Sequence, residues 1–446
     1  MEKILSETAL TSFTYDDMLN HVRSVFTTLP DSRTGKNTVY SMEDAALGAF
    51  SVFFTQSPSF PDFQRNMELT KGKSNAQSLF QVTDIPTDNH IRNLLDPISP
   101  AHIFPCFSAI SNKLLKSDHL ESYRSINGTL LLALDGTQYF SSKTVHCKNC
   151  TVTKHKNGTI TYSHTAITPV ITAPNANVVF PLEPEFITPQ DGHEKQDCEN
   201  AAAKRQLSQF GPKYCKWGIT ISGDDLYCKQ PLCEAILSEK QNFILVCKPD
   251  SHKTLYKHIS EAENTERIET VKVTICRGKD WLFHTYRFVN MAPLRAGADS
   301  LEINWCELTT RNADDEIIFR NAFATNHEIT AQNVKEIIEG GRARWKIENE
   351  NNNTLKTKGY NLTHNFGHGK EHLSSLLATL NLLAFLIHTI LDLTDSNYQL
   401  VRKKLSTRIN FFNDFRALTR YLCFNSWNAL LLFMMRGLEI VPPDTG

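Results

Sequence analysis

The chain has 446 residues, room for about three units at the usual ~150 residues per domain and for large buried cores. Its hydrophobic content of 41% and charged content of 21% are those of a globular protein and exclude disorder as its organising state. With 47 Lys+Arg against 48 Asp+Glu the formal net charge is −1, so the chain as a whole attracts neither nucleic acid nor membrane, and any polyanion site must be local.

The opening stretch "MEKILSETALTSF" lacks the apolar run and small-residue cleavage site of a secretory signal, so a cytoplasmic location is expected. The 11 cysteines, an odd number scattered over the chain, then read as reduced thiols. Residues 1–122 read as a helical unit. "YSMEDAALGAFSVFFTQS" has apolar residues at helical spacing, and "PTDNHIRNLLDP" offers Thr87 or Asp88 as N-cap with Pro97 as terminator. The polar "TKGKSNAQ" between them reads as a loop.

From residue 129 the period changes. "TLLLALDGTQYFSS" is an apolar run of strand length that meets Asp135, and it suits a central strand covered on both faces. "AITPVITAP" and "NVVFPLEP" follow as strands, then a helix in "EKQDCENAAAKRQLSQF", the strand "WGITISGDD", the helix "PLCEAILSE" and the strand "NFILVCK". This order predicts an α/β fold with a mixed sheet under helical cover. Residues 262–328 read as an all-β insertion, with strands in "ETVKVTIC", "WLFHTYRFVN", "SLEINWCEL" and "EIIFRNAFAT". Thr330 then caps one helix through "AQNVKEIIEGGRARWKIENENN". "LSSLLATLNLLAFLIHTILDL" is long enough to span a bilayer, but its Ser, Thr, Asn and His residues point to a helix buried on a sheet, and no membrane is expected as a partner. Residues 396–446 form a helical C-terminal region whose Arg402, Lys403, Lys404, Arg408, Arg416 and Arg420 suit a solvated face or a DNA-facing one.

Asp135 and Asp224 each stand where an apolar strand ends, the place at which an α/β sheet opens its ligand crevice. Either alone is as well explained by a turn. Glu348 adds a third acid on a helix, among Arg342, Arg344, Lys346, Lys356 and Lys358. Carboxylates brought together from two strands and a helix repel unless divalent cations neutralise them. Oxygen-rich sites of this kind suit Mg²⁺ or Mn²⁺, and a pair of ions roughly 3.5–4 Å apart can drive phosphodiester cleavage.

At these residues the chain resembles the DDE transposases of bacterial insertion sequences, cut-and-paste enzymes with a β-rich insertion in a ribonuclease-H-like core. The matching pieces are "LLALDGTQYF", "ITISGDDLYCKQPL" and "GRARWKIENENNNTLKTKGYNLTHNFGHGK", and the likeness runs from about residue 125 to 395. Arg344 stands four residues before Glu348, as in the signature Tyr-x2-Arg-x3-Glu-x6-Lys. Gly341 occupies the Tyr position, and Lys356 falls one residue late. The resemblance implies a catalytic and metal-binding triad of Asp135, Asp224 and Glu348, with Asp225 and Glu350 as fallbacks. It implies Mg²⁺ or Mn²⁺, as two ions, and contacts to DNA from Arg342, Arg344, Trp345, Lys356 and Lys358. It also implies a DNA-binding domain in 1–122, a catalytic domain in 123–395, double-stranded DNA as substrate (element ends and target), a homodimer in the active complex, and association with a bacterial nucleoid. The activity implied is hydrolysis at the element ends followed by joining of the 3′-OH ends to target DNA. The alternatives are a nuclease of the same fold that does not join, or a DNA-binding derivative without catalysis.

A separate pattern lies in "HCKNCTVTKHKNGTITYSH". Cys147 and Cys150 precede a hairpin with an Asn157-Gly158 turn, and His164 lies at its far end, so the hairpin returns His164 to the Cys pair. These three suit a structural zinc ion as well as they suit free thiols. The fourth ligand is then His146, His155, His193 or Cys198. In "HNFGHGKEHL", Gly367 and Gly369 argue against a helix that would align His364 with His368, and the segment reads as a phosphate-contacting loop.

Overall fold

The computed structural model describes residues 10–34, 38–67, 74–189, 197–278 and 280–441. Among them the N-terminal part is helical: α1 (Tyr15–Phe26), α2 (Met42–Phe54), α3 (Phe60–Met67), α4 (Asn75–Phe80), α5 (Asp88–Leu95) and α6 (Phe104–Lys116). The predicted polar loop is therefore helical from Asn75 onward, and its start lies outside the described residues. Strands β1 (Arg124–Ser125) and β2 (Thr129–Ala133) follow, then β3 (Gly136–Ser142), β4 (Thr151–Lys154), β5 (Ile160–Ile167), β6 (Val170–Thr172), β7 (Phe180–Pro181) and β8 (Glu185–Ile187). Next come α7 (Glu199–Cys215), β9 (Ile219–Gly223), α8 (Gln230–Ser238), β10 (Asn242–Val246) and α9 (Lys253–Asn264). The chain closes with β11 (Glu269–Arg277), β12 (Asp280–Pro293), β13 (Glu302–Arg311), β14 (Ile317–Thr325), α10 (Val334–Arg342), α11 (Asn353–Thr357), α12 (Leu373–Thr394), α13 (Ser396–Leu405), α14 (Arg408–Tyr421) and α15 (Trp427–Gly437).

The fold is mixed α/β. One sheet runs β11-β12-β13-β14-β10-β9-β2-β6-β7, with β2, β9 and β10 parallel and their neighbours antiparallel. The inserted strands β11–β14 do not form a body of their own, because β14 pairs with β10 and continues the central sheet. The strand in "TLLLALDGTQYFSS" ends where expected, just before the Asp135-Gly136 step. The chain leaves the central sheet at Asp135, and β3 joins a second sheet, β3-β5-β4 with β8 beside β5.

Period-two alternation decides what each face receives. Leu130, Leu132 and Leu134 face the large core that also takes in α7, α8 and α12, whereas Leu131 faces the core under α10 and Ala133 packs with Ile347. On β9, Ile219 and Ile221 enter the large core in the same way. That core is continuous from Leu10 to Met435, so the N-terminal helices, the sheet and the C-terminal helices share one interior.

Helix α12, the one described helix apolar and long enough to cross a membrane, is buried inside the protein. Its polar residues have partners. His388 Nε2 donates to the Phe54 carbonyl (2.8 Å) and stacks on the Phe54 ring, leaving Nδ1 to accept from Tyr398 Oη (3.0 Å). Asn381 donates to the Tyr360 carbonyl (2.9 Å). The C-terminal arginines are also spent internally: Arg408 reaches Tyr360 Oη, Arg416 the Thr55 and Gln56 carbonyls, and Arg420 Asn66, while Lys403 and Lys404 stay exposed.

The helix expected through residue 352 is interrupted. α10 ends at Arg342, a turn follows, and Ile347–Asn352 is a π-helical turn. Gly341, which stands where the resemblance would place a Tyr, has no room for a side chain. It is buried against the sheet, and a Cβ there would lie 2.6 Å from the Phe323 ring and 2.9 Å from Ile244 Cγ2. Gly341→Tyr is therefore expected to destabilise the fold by about 3 kcal/mol through overpacking. Urea denaturation checks this, and a midpoint equal to that of the wild type would show that the helix can lift off the sheet at no cost.

Candidate active site

Asp135 is the first residue after the paired part of β2 and its linking residue Leu134, whose N–H donates to the Ser222 carbonyl (2.8 Å). Ala133 is in register with Ser222 on parallel β9, so Asp135 and Asp224 are equivalent positions two residues further along neighbouring strands. Both have the parity of Leu131 and Ala133, the face covered by α10 and the π turn. Asp225 has the opposite parity. Its carboxylate accepts from the Lys248 N–H (2.6 Å) and lies 3.3 Å from His252 Nε2, so it is engaged away from the other acids.

The carboxyl group of Asp135 is half-buried, and loss of solvent pushes it up to about 7. Arg344 opposes this, and the charges of Glu348, Glu199 and Asp224 add to it. Asp224 and Glu348, the other two acids singled out in the sequence, thus act on Asp135 together with a fourth acid, Glu199. Glu199, the first residue of α7, is raised by burial and by Asp224, while the Tyr227 hydroxyl donates to its Oε2 (3.1 Å) and opposes the shift. Glu199 lies so close to Gly136 that any side chain there would overlap its carboxylate. Glu199 is not among the acids the sequence singles out, and only its proximity to "DGT" in space marks it out.

Glu348 lies on the π turn, its side chain 53% exposed, and pairs with Arg344 at 2.8 Å. Two buried asparagines from the same turn face inward. Asn352 Nδ2 donates to Asp135 Oδ2 (3.1 Å), and its Oδ1 accepts from Thr168 Oγ1 (3.2 Å) and from Asn351 Nδ2 (2.9 Å). Thr168 returns an N–H to the Asp135 carbonyl (3.2 Å). Both asparagines follow Glu348 in the tract "ENENNN", where the sequence alone gives them no role. Glu350 is the acid whose charge acts on buried Lys346, and Lys346 donates to the Ala176 carbonyl.

Of the basic residues, Arg344 and Lys356 belong to the acid cluster. Burial lowers the Lys356 ammonium, and the Asp135 charge opposes that. Lys358 is exposed, Arg342 lies over the Phe319 ring at 4.5 Å, and Trp345 is 47% exposed beside them in sequence.

The Cys-His pattern also assembles, though with a different fourth member. Cys147, Cys150 and His164 meet His368, from the loop before α12, and their ligand atoms all lie within 4.8 Å of one another. His146 instead stacks on Tyr162, His155 bonds Thr161, Cys198 is exposed, and His193 lies outside the described residues. The loop reading of "HNFGHGKEHL" agrees with the structure, and His364 stays apart from the cluster. Burial, with the neighbouring His368, lowers His164 to about 4, and burial raises the Cys150 thiol to about 11.

No family model matches the chain, and no curated protein matches it.

The raised Asp135 carboxyl has a consequence for stability. The unfolded value is ~3.9, so between that and about 7 the native state binds the extra proton, and the group's contribution falls as pH rises through this window. In magnesium-free buffer Asp135→Asn should therefore gain on the wild type between pH 5 and pH 8, by on the order of 1–3 kcal/mol once partial solvation is allowed for. Urea unfolding at the two pH values measures the difference, and an equal offset at both would show that Asp135 is not raised.

Proposed function

We propose that the chain is a DNA-cleaving and strand-joining enzyme of the DDE transposase type, built on a ribonuclease-H-like core. The observation that carries this reading is that Asp224 and Glu348 both act electrostatically on Asp135, the three standing at the ends of parallel strands β2 and β9 and on the covering π turn. The sheet order β7-β6-β2-β9-β10, with three parallel central strands and two antiparallel ones beyond, supports the core assignment.

Asp135, Asp224 and Glu348 would hold Mg²⁺ or Mn²⁺, and Glu199 is near enough to contribute. The donor set fits: all are hard oxygen ligands, and Asp135, raised chiefly by its burial and further by the charges of Glu348, Glu199 and Asp224, is a carboxylate whose ionised form a divalent cation would favour. Bound there, such ions supply the activation of water and the stabilisation of the leaving oxygen in phosphodiester cleavage. The chain's own residues do the positioning. Asn352 fixes the orientation of the Asp135 carboxylate, Arg344 that of Glu348, and Tyr227 that of Glu199. Lys356, Lys358, Arg342 and Trp345 would meet the DNA backbone and bases, double-stranded DNA being the substrate and a homodimer the unit that pairs two ends.

The test is Mg²⁺-dependent cleavage of a labelled DNA fragment carrying the flanks of the chain's own gene. The wild type is expected to cut at the element ends and join them to a target, while Asp135→Ala, Asp224→Ala and Glu348→Ala do neither and Asp225→Asn still cuts. Cutting without joining would leave a nuclease, and binding without cutting by the wild type would leave a DNA-binding derivative. Asn352→Ala is expected to lower the cleavage rate about 10- to 100-fold, the usual cost of losing a residue that orients a metal ligand. An unchanged rate would remove Asn352 from the site.

A further inference from the structure

The Cys-His cluster lies apart from the four acids and has the geometry of a coordination shell. With Zn–S near 2.3 Å and Zn–N near 2.05 Å, tetrahedral angles set the ligand edges at about 3.8 Å for S···S and about 3.6 Å for S···N. The observed edges are 3.9 Å for Cys147 Sγ to Cys150 Sγ, 3.6 Å for Cys147 Sγ to His164 Nε2, 3.4 Å for Cys150 Sγ to His164 Nε2 and 3.7 Å for Cys150 Sγ to His368 Nε2. Hydrogen bonding accounts for this less well. Two thiols converge on one imidazole nitrogen, which has a single lone pair to offer.

We propose that Cys147, Cys150, His164 and His368 bind one zinc ion as a closed structural site that staples the β3–β5 hairpin to the loop before α12. Two thiolates and two imidazoles in a tetrahedron suit zinc, and four protein ligands leave no position for water or substrate. The ligands come from three places: the Cys pair from the turn before β4, His164 from β5, and His368 from a segment more than two hundred residues away in sequence. The same segment is held from the other side, where Asp96 accepts the N–H groups of Lys370, Glu371 and Leu373 (2.9–3.1 Å). The hairpin itself starts at Gly136 and ends at Ile167, next to Asp135 and Thr168, so the staple restrains the segment that carries the first acid.

Metal analysis of the purified full-length protein tests this. About one zinc ion per chain is expected for the wild type and for Glu348→Ala, and loss of that zinc for Cys150→Ser and for His368→Ala. His368→Cys, which supplies another zinc ligand, should retain the metal. With cobalt in place of zinc the wild type should show tetrahedral ligand-field bands and thiolate charge transfer, the latter stronger in His368→Cys. A wild type that neither contains zinc nor takes up cobalt would overturn the site, as would His368→Ala with a full complement of zinc. Should Cys150→Ser fail to fold, chelation of the wild type decides: removal of zinc should lower the melting temperature and open Cys147 and Cys150 to a thiol reagent. Unchanged melting after removal would overturn the stapling role.

Discussion

The parallel register of β2 on β9 is the constraint from which the site follows. Leu130 pairs with Ile219 and Ala133 with Ser222, so each acid that ends one strand has its counterpart at the same height and on the same face of the other. A slip of one residue would send Asp135 and Asp224 to opposite faces and bury the wrong half of each strand. Leu130 and Leu132, fully buried in the core shared with α7 and α12, resist that slip, since each contributes roughly 1.5–3 kcal/mol by its burial. Packing of ordinary aliphatic residues thereby fixes where two carboxylates meet, against their own repulsion.

Much of the framework was legible in the residues themselves. Apolar runs of strand length gave β2, β9 and β10, and the four inserted strands stood out by their alternation and turns. Alternation along "ITISGDD" puts Asp224 and Asp225 on different faces, but it takes the register of β9 on β2 to show that Asp224 is the one aligned with Asp135. Other features could not be read locally. Glu199, Asn352 and His368 acquire partners only through elements distant in sequence, and their neighbours in the chain are polar in the way any surface loop or helix start is polar. The π turn is similar. "ENENNN" carries no signal for it, yet that turn lets Glu348 reach outward to Arg344 while Asn351 and Asn352 face Thr168 and Asp135.

The helical parts illustrate a different limit. Charge clusters in α13 and α14 looked like one face, but Arg408 and Arg416 are drawn inward by carbonyl and hydroxyl acceptors and Arg408 lies over an aromatic ring. Composition reports a guanidinium's charge and not its partner, and an arginine can cover apolar surface with its stem while its head satisfies buried acceptors. In α12 the same reasoning runs in reverse. A single histidine in an apolar helix is costly until both nitrogens are used, and His388 uses them to join α2 to α13 across the interior.

The balance of charge around Asp135 bears most directly on the proposed chemistry. Asp224, Glu199 and Glu348 act on Asp135, and Asp224 also on Glu199, with Arg344 and Lys356 as the basic residues that interact with Asp135. Arg344 is committed to Glu348 by a direct pair yet still opposes the rise at Asp135, and burial lowers Lys356 while the Asp135 charge opposes that. Burial, more than the neighbouring charges, raises the Asp135 carboxyl to about 7, and Glu348, Glu199 and Asp224 add to that, so it holds a proton up to that pH. An anionic DNA backbone approaching this point meets repulsion unless the proton is exchanged for cations of higher charge. On the proposed reading, the field that disfavours four bare carboxylates is therefore the same field that makes polyanion binding depend on divalent ions, while the exposed Lys358 supplies attraction at the margin of the site.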